Sequence, residues 1–111
     1  MGIIYLFDVY MQNGYNLNMI KSFADKETEK VFNQDFSKKL PHSIQGIALR
    51  KMILMNAAKV INDLRIPPAN HLEQLKGDRK GQYSIRINDQ YRICFRFEEC
   101  NCLDVEITDY H

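Results

Sequence analysis

The last third of the chain decides the fold: residues 74–111 read QLKGDRKGQYSIRINDQYRICFRFEECNCLDVEITDYH. Three runs in this stretch alternate apolar and polar residues: 83–87, 91–97 and 103–107. Such alternation is typical of antiparallel strands that have one buried face and one solvated face. The intervening residues 88–90 and 99–101 are short enough to close hairpins. The stretch therefore predicts three successive antiparallel strands.

Matching apolar residues across these strands predicts their register, because a slip of one residue would turn every side chain to the other face. The expected apolar pairs are Ile87–Tyr91, Ile85–Ile93, Phe97–Leu103, Phe95–Val105 and Ile93–Ile107. The expected polar pairs are Arg86–Arg92, Arg92–Thr108 and Arg96–Asp104. Arg96 and Asp104 would form an ion pair. Arg86 and Arg92 would repel each other unless an anion lay between them, so this face is a candidate phosphate site.

At 111 residues, the chain is expected to form one domain with a single modest core. Its 45% hydrophobic and 26% charged residues exclude the disordered and fibrous classes. A net charge of +1 gives no general attraction to nucleic acid, so binding would require a local basic patch. The last third offers the residues for such a patch: Lys76, Arg79, Lys80, Arg86 and Arg92.

Three cysteines lie within one predicted hairpin, at positions 94, 100 and 102. Their odd number and the C-x-C spacing do not indicate a disulfide framework, so a cytoplasmic location is expected. A zinc site would need a fourth ligand and the usual two-residue gap, so neither a metal nor another cofactor is expected. The sequence contains no apolar run of the roughly 20 residues that a membrane span requires. Residues 3–7 are also a poor signal peptide, and no membrane partner is expected.

The earlier part of the chain predicts an α+β domain. Residues 1–18 are turn-rich and are either an N-terminal extension before Met19 or an additional arm on the fold. Residues 19–23 favour a strand, and Asp25 is a candidate N-cap for a helix that runs to about Phe36. A second, longer helix is expected from about Ser43 to Leu64, with its apolar stripe facing the core. That stripe comprises Ile47, Leu49, Ile53, Ala57, Val60, Ile61 and Leu64. Residues 71–76 favour a further strand, and residues 77–81 a flexible basic loop.

Three motifs carry a family resemblance: residues 75–85, residues 88–93, and Asp109-Tyr110-His111 at the end of the sequence. With residues 19–23 and the helical middle, they resemble the HigB-type host-killer toxins of the RelE/ParE superfamily. The resemblance spans residues 19–111 and leaves 1–18 outside. It implies a RelE-like fold in which two N-terminal helices pack on a twisted antiparallel sheet.

The resemblance further implies the toxin of a bacterial type II toxin-antitoxin system. Such a toxin is a ribosome-dependent endoribonuclease that cuts mRNA and stops translation. Its partners would be the ribosome, mRNA and a HigA-type helix-turn-helix antitoxin, and it would reach operator DNA through the antitoxin complex. Two alternatives remain open: a ParE-like toxin that inhibits DNA gyrase, and a weakened toxin that acts mainly as a co-repressor.

Five positions match residues that the family uses at its site: Lys76, Arg92, Asp109, Tyr110 and His111. Many relatives have a histidine three residues before the motif lysine, where this chain has Glu73. His71 lies two residues earlier in the sequence.

Cleavage of RNA without a metal needs a base for the ribose 2′-hydroxyl, an acid for the leaving oxygen and cations for the phosphate. We assign proton transfer to His111, oriented by Asp109 or by the terminal carboxylate, with Glu73 as an additional base. Lys76 and Arg92 would hold the phosphate. The remaining candidates for RNA binding are Arg79, Arg86 and Lys80 as further cations and Tyr110 as a stacking platform. The basic loop could instead be only a solvated surface, and Tyr110 could simply cover the edge of the core.

Overall fold

The computed structural model describes residues 19–110, so the predicted extension 1–18 and His111 lie outside the described residues. Two helices come first, α1 (Lys26–Phe32) and α2 (His42–Ala57). Four strands follow: β1 (Glu73–Gln74), β2 (Gln82–Arg86), β3 (Tyr91–Glu98) and β4 (Asn101–Asp109). They form one antiparallel sheet in the order β1-β2-β3-β4, which confirms the α+β class.

Both helices end earlier than their apolar spacing predicts. Asp25 is the N-cap of α1 as expected, and its Oδ1 accepts a hydrogen bond from the Thr28 backbone N–H at 2.7 Å. The helix stops at Phe32 because Gln34 adopts a φ of +67°, and Phe36 is left 56% exposed. The second helix stops at Ala57, since Ala58 is extended and a separate 3-10 helix begins at Ile61.

The early end of α2 changes its buried face. The most deeply buried apolar residues of α2 are Ile44, Ala48, Met52 and Met55. Val60 lies beyond the helix and is 53% exposed, so its predicted place in the core stripe is wrong. The Asp63 carboxylate accepts hydrogen bonds from the backbone N–H groups of Lys59 and Val60, and these bonds lower the pKa of Asp63. Ala57 is also exposed, so its predicted place in the stripe is wrong as well. Of the predicted stripe, Ile47, Leu49, Ile53 and Ile61 are partly buried, and only Leu64 is buried.

The predicted register holds for β2 and β3 and for half of the β3–β4 ladder. Arg86 pairs with Arg92, and Arg92 pairs with Thr108. The register then shifts between Cys94 and Arg96, so that Arg96 lies opposite Leu103. The shift makes the predicted pairs Phe97–Leu103 and Arg96–Asp104 wrong.

The register shift has a local cause at Asp104. This residue has a φ of +53°, and its backbone N–H donates to Ser22 Oγ at 2.8 Å instead of to a neighbouring strand. The irregular turn lets Cys102 and Val105, three positions apart, both face the core, where each is fully buried. Strict alternation would have placed one of them in solvent.

Residues 19–24 lie along β4, as expected for a first strand, but they form two separate bridges rather than a continuous strand. Ile20 pairs with Cys102 and Phe23 pairs with Val105, both in parallel. The segment follows the irregular backbone of β4, which explains why the bridges are isolated. Within residues 19–110, the structure contains no helix that is long and apolar enough to cross a membrane.

Thr28 joins α1 to β4, and its replacement offers a test of the packing. Its side chain is fully buried, and its Oγ1 accepts a hydrogen bond from the Ile107 backbone N–H at 2.9 Å. We expect Thr28→Val to lower the free energy of unfolding by about 1–3 kcal/mol, because that N–H is left buried without an acceptor. Urea denaturation measures the change. Thr28→Ser keeps the hydroxyl and should lower the free energy of unfolding clearly less than Thr28→Val. Equal losses in the two variants would contradict the role of the Thr28 hydroxyl as acceptor for the Ile107 N–H.

Candidate functional site

The polar face of the sheet carries a row of paired residues that runs across all four strands. Glu73 pairs with Ser84, Ser84 with Cys94, and Cys94 with Glu106. Paired positions of neighbouring strands point to the same face, so these side chains lie side by side. We call Glu73, Ser84, Cys94 and Glu106 the central row. It has a carboxylate at each end and two uncharged side chains in the middle.

Arg92 lies over one half of the central row and is firmly held there. Its Nε donates to Ser84 Oγ at 2.7 Å, and its guanidinium group also donates to the His71 carbonyl. The same group lies 3.5 Å from Glu73 Oε1. The Arg92 side chain is only 12% exposed, whereas that of Glu73 is 57% exposed. Arg92 is therefore a preorganised cation whose carboxylate partner faces solvent.

Arg79 lies over the other half of the central row. It comes from a 3-10 turn, Gly77–Arg79, and donates to Gln82 Oε1 at 3.0 Å and to Glu106 Oε1 at 3.3 Å. Gly77 has a φ of +65°, a conformation that favours glycine and lets the loop turn back over the sheet. The predicted flexible loop is thus an ordered turn that places a second guanidinium group on this face.

The middle of the polar face is dry, which corrects the expectation of a uniformly wet surface. Ser84 and Cys94 are both fully buried although they point away from the helices. Burial raises the pKa of the Cys94 thiol, against smaller opposing effects from Thr108, Arg79 and Arg92. The two arginine side chains thus border a water-poor strip, where charge interactions are stronger than in solvent.

Arg86 and Arg92 face each other in register, but their side chains have different partners. Arg86 forms an ion pair with Asp89 in the turn between β2 and β3. Arg92 binds Ser84, His71 and Glu73. The expectation that the two guanidinium groups share one anion is therefore corrected: local acceptors relieve the repulsion between them. Arg96 likewise pairs with Glu98 and not with Asp104.

The described end of the chain lies at one end of the sheet. Asp109 pairs with Tyr91, and its carboxylate accepts a hydrogen bond from Gln90 Nε2 at 3.1 Å. The Tyr110 backbone N–H donates to the Gln90 carbonyl at 2.6 Å, while its side chain is 41% exposed. Tyr110 therefore does not cover the core, and His111 follows it outside the described residues.

Lys76 and Lys80 lie at the opposite end of the sheet. They line a pocket of about 270 Å³ together with Gln74, Leu75, Gly77 and Gly81. The Leu75 N–H binds the Gln82 carbonyl, and Gln82 pairs with Arg96. On β3, Arg96 lies five residues from Tyr91, the partner of Asp109, which is roughly 17 Å at about 3.3 Å per residue. The sequence-predicted residues thus form a strip along the face, with Arg92 and Arg79 between its ends.

Four residues of the site were missed by the sequence analysis: Ser84, Cys94, Glu106 and Gln82. The strand pattern could have indicated Ser84 and Cys94, because the register that pairs Ile85 with Ile93 also pairs these two residues. The three cysteines do not come together as the ligands of one zinc ion would. Their sulfur atoms lie in different surroundings. Cys102 faces the core and donates to the Met55 carbonyl, Cys94 faces the opposite side, and Cys100 is exposed.

Comparison with known proteins gives consistent matches. Residues 21–111 match the family described as RelE-like toxin of type II toxin-antitoxin system HigB. Toxin HigB-1 of Vibrio cholerae is 42% identical over 80 residues, which are 71% of this chain and 84% of that protein. Endoribonuclease HigB of Proteus vulgaris is 29% identical over 93 residues, covering 84% of this chain and all of that protein.

A solved structure shows a similar fold. A chain of the YoeB-YefM complex from Staphylococcus aureus superposes with a TM-score of 0.55 at 20% identity, over 85% of this chain and 97% of that chain. The family match covers the helices, the sheet and both arginines that lie over the central row. The chain therefore belongs to the HigB family of RelE-like toxins of type II toxin-antitoxin systems.

Proposed function

We propose that this toxin is an endoribonuclease that cuts mRNA on the ribosome in the cytoplasm and thereby stops translation. A HigA-type helix-turn-helix antitoxin would neutralise it and carry it to operator DNA. The name of the Proteus vulgaris relative, which aligns over its whole length, supports RNA cleavage. The structural observation that carries the proposal is the pair Arg92 and Arg79 over the dry central row.

Arg92 is the residue best prepared to bind the scissile phosphate. Its Nε is fixed by Ser84, so the guanidinium group keeps its orientation when the exposed Glu73 carboxylate moves aside. Phosphate can then replace that carboxylate as the charged acceptor. Charge that builds on the phosphate oxygens in the transition state is stabilised by a cation that needs no reorganisation. Lys76 and Arg79 would add positive charge along the same strip.

The proton transfers fall to Glu73 and His111. The 2′-oxygen attacks phosphorus and gives its proton to a base, for which Glu73 lies adjacent to the phosphate-binding cation. The bond from phosphorus to the 5′-oxygen then breaks, and His111 supplies the proton that this oxygen takes up. The products are a 2′,3′-cyclic phosphate and a 5′-hydroxyl, and this route needs no metal. Asp109 would orient His111.

The exposed groups around the arginines would position the RNA. Tyr110 offers an exposed ring on which an unpaired base can stack. Lys80 and Arg86, near the two ends of the strip, would contact the backbone. Because mRNA is threaded as a single strand, such stacking and backbone contacts suffice to hold it without reading base edges.

A translating extract tests this function. The purified toxin should shorten a reporter mRNA in the extract, and the same toxin should leave DNA supercoiling by gyrase unchanged. Intact mRNA together with inhibited gyrase would favour the ParE-like alternative. Intact mRNA with normal translation would favour a co-repressor. Cleavage that persists after ribosomes are removed would contradict the ribosome requirement.

A further inference from the structure

Lys51 on α2 is held toward the site by a buried amide. Its Nζ donates to Asn70 Oδ1 at 2.5 Å. Asn70 is fully buried, and its Nδ2 donates to the Leu64 carbonyl at 3.1 Å and toward the Ile66 carbonyl at 3.3 Å. These bonds fix the orientation of the amide and leave its oxygen for the lysine. Lys51 is therefore positioned by a neutral group, which does not cancel its charge.

The same short segment also holds Arg92. His71 follows Asn70 directly in the chain, and its carbonyl accepts a hydrogen bond from the Arg92 guanidinium group. Adjacent residues thus anchor one cation from α2 and one from β3. This connection places Lys51 near the edge of the sheet, beside the segment that holds Arg92.

Lys51 belongs to a cluster of positive charge. Burial lowers the pKa of Lys51, and the nearby charges of Arg50 and Arg86 lower it further. Arg86 has Asp89 as a partner, but that carboxylate is 98% exposed and screened by water. Strand pairing places Arg86 opposite Arg92, and Arg92 binds the residue that follows Asn70, so Arg86 and Lys51 approach the same edge of the sheet. Such a concentration of like charge costs free energy in the empty protein and is relieved by a bound anion.

We propose that Lys51 and Arg86 form a second phosphate subsite, which binds the phosphodiester backbone of single-stranded RNA next to the phosphate held by Arg92. The identity of this ligand rests on the proposed function. The subsite extends the RNA path from the polar face of the sheet across its edge onto α2. Its part is to hold and orient the strand, while cleavage occurs at Arg92.

RNA binding at different salt concentrations tests the subsite. The probe is a fluorescently labelled single-stranded RNA with 2′-O-methyl groups, which block attack by the 2′-oxygen. Fluorescence anisotropy gives the dissociation constant for the wild type, Lys51→Met and the control Lys38→Met. Each phosphate contact to single-stranded nucleic acid contributes about 0.7 to the slope of log K against log salt. Lys51→Met should reduce the slope by about that amount, and Lys38→Met should leave it unchanged.

An unchanged slope for Lys51→Met, an equal reduction for Lys38→Met, or no RNA binding by the wild type would overturn the inference. The wild-type protein provides a second measurement that does not depend on the folding of a variant. Bound RNA should slow acetylation of the Lys51 amine, read by mass spectrometry, and leave Lys38 unaffected. Equal acetylation with and without RNA would also overturn the subsite. A toxin that binds RNA in this way but cuts no mRNA would refute the proposed function and leave the subsite standing.

Discussion

Replacing Arg92 with glutamine is expected to reduce mRNA cleavage in a translating extract by about 100- to 1,000-fold, the usual cost of removing one preorganised electrostatic donor. The cause is specific to this position. Arg92 is held by Ser84 and His71, so it meets the phosphate without first becoming ordered. Glutamine carries no charge and cannot reproduce the planar guanidinium fork. The initial rate of loss of full-length mRNA measures the effect.

Arg96→Gln is the matched control for Arg92→Gln. Arg96 lies on the same strand, is exposed and pairs with Glu98 rather than with the central row. The Arg96→Gln variant should cut mRNA at nearly the wild-type rate. Because Arg92 is mostly buried, thermal unfolding must first show that its variant is folded. If a folded Arg92→Gln protein cut mRNA as fast as the Arg96→Gln protein, Arg92 would have no part in the mechanism.

Replacing His111 with alanine is expected to reduce cleavage by about 100- to 10,000-fold, the range for loss of a general acid or base. The residues before it are fixed at one end of the sheet, where Asp109 pairs with Tyr91 and Tyr110 binds Gln90. Histidine exchanges protons near neutral pH, which alanine cannot do. Single-turnover cleavage of mRNA on purified ribosomes separates this chemical step from binding.

His42→Ala serves as the control for His111→Ala. His42 is exposed at the start of α2, and its ring lies 5.2 Å from that of Phe36, away from the central row. This variant should retain the wild-type cleavage rate. If His111→Ala also retained it, another group would have to protonate the leaving oxygen.

The sequence predicted the sheet well wherever apolar residues alternate without interruption. Ile85, Ile93 and Ile107 lie in one row, as their spacing requires. The prediction failed at Asp104, because a positive φ in an aspartate leaves no mark on the pattern of polar and apolar residues. Cys102 and Val105 could have indicated the irregularity, since two apolar residues three positions apart cannot both face the core of a regular strand.

The sequence predicted which face of the sheet Arg86 and Arg92 share, but not how their side chains are arranged there. Register alone placed Arg86 opposite Arg92, and the structure confirms that pairing. The register could not predict that the Arg86 and Arg92 side chains would bind different acceptors. Asp89 lies in a turn, and His71 contributes only its backbone carbonyl. Arg79 reaches the central row from a loop, and alternation in the strands contains no information about loops.

The chemistry of the ends left on cut mRNA tests the proposed activity most directly. Fragments recovered from ribosomes in a translating extract should carry 2′,3′-cyclic phosphate or 3′-phosphate on one side of each cut and 5′-hydroxyl on the other. Mass spectrometry of the fragments distinguishes these ends. Fragments with 5′-phosphate ends would contradict attack by the 2′-oxygen at Arg92, and intact mRNA in an extract whose translation has stopped would contradict mRNA cleavage altogether.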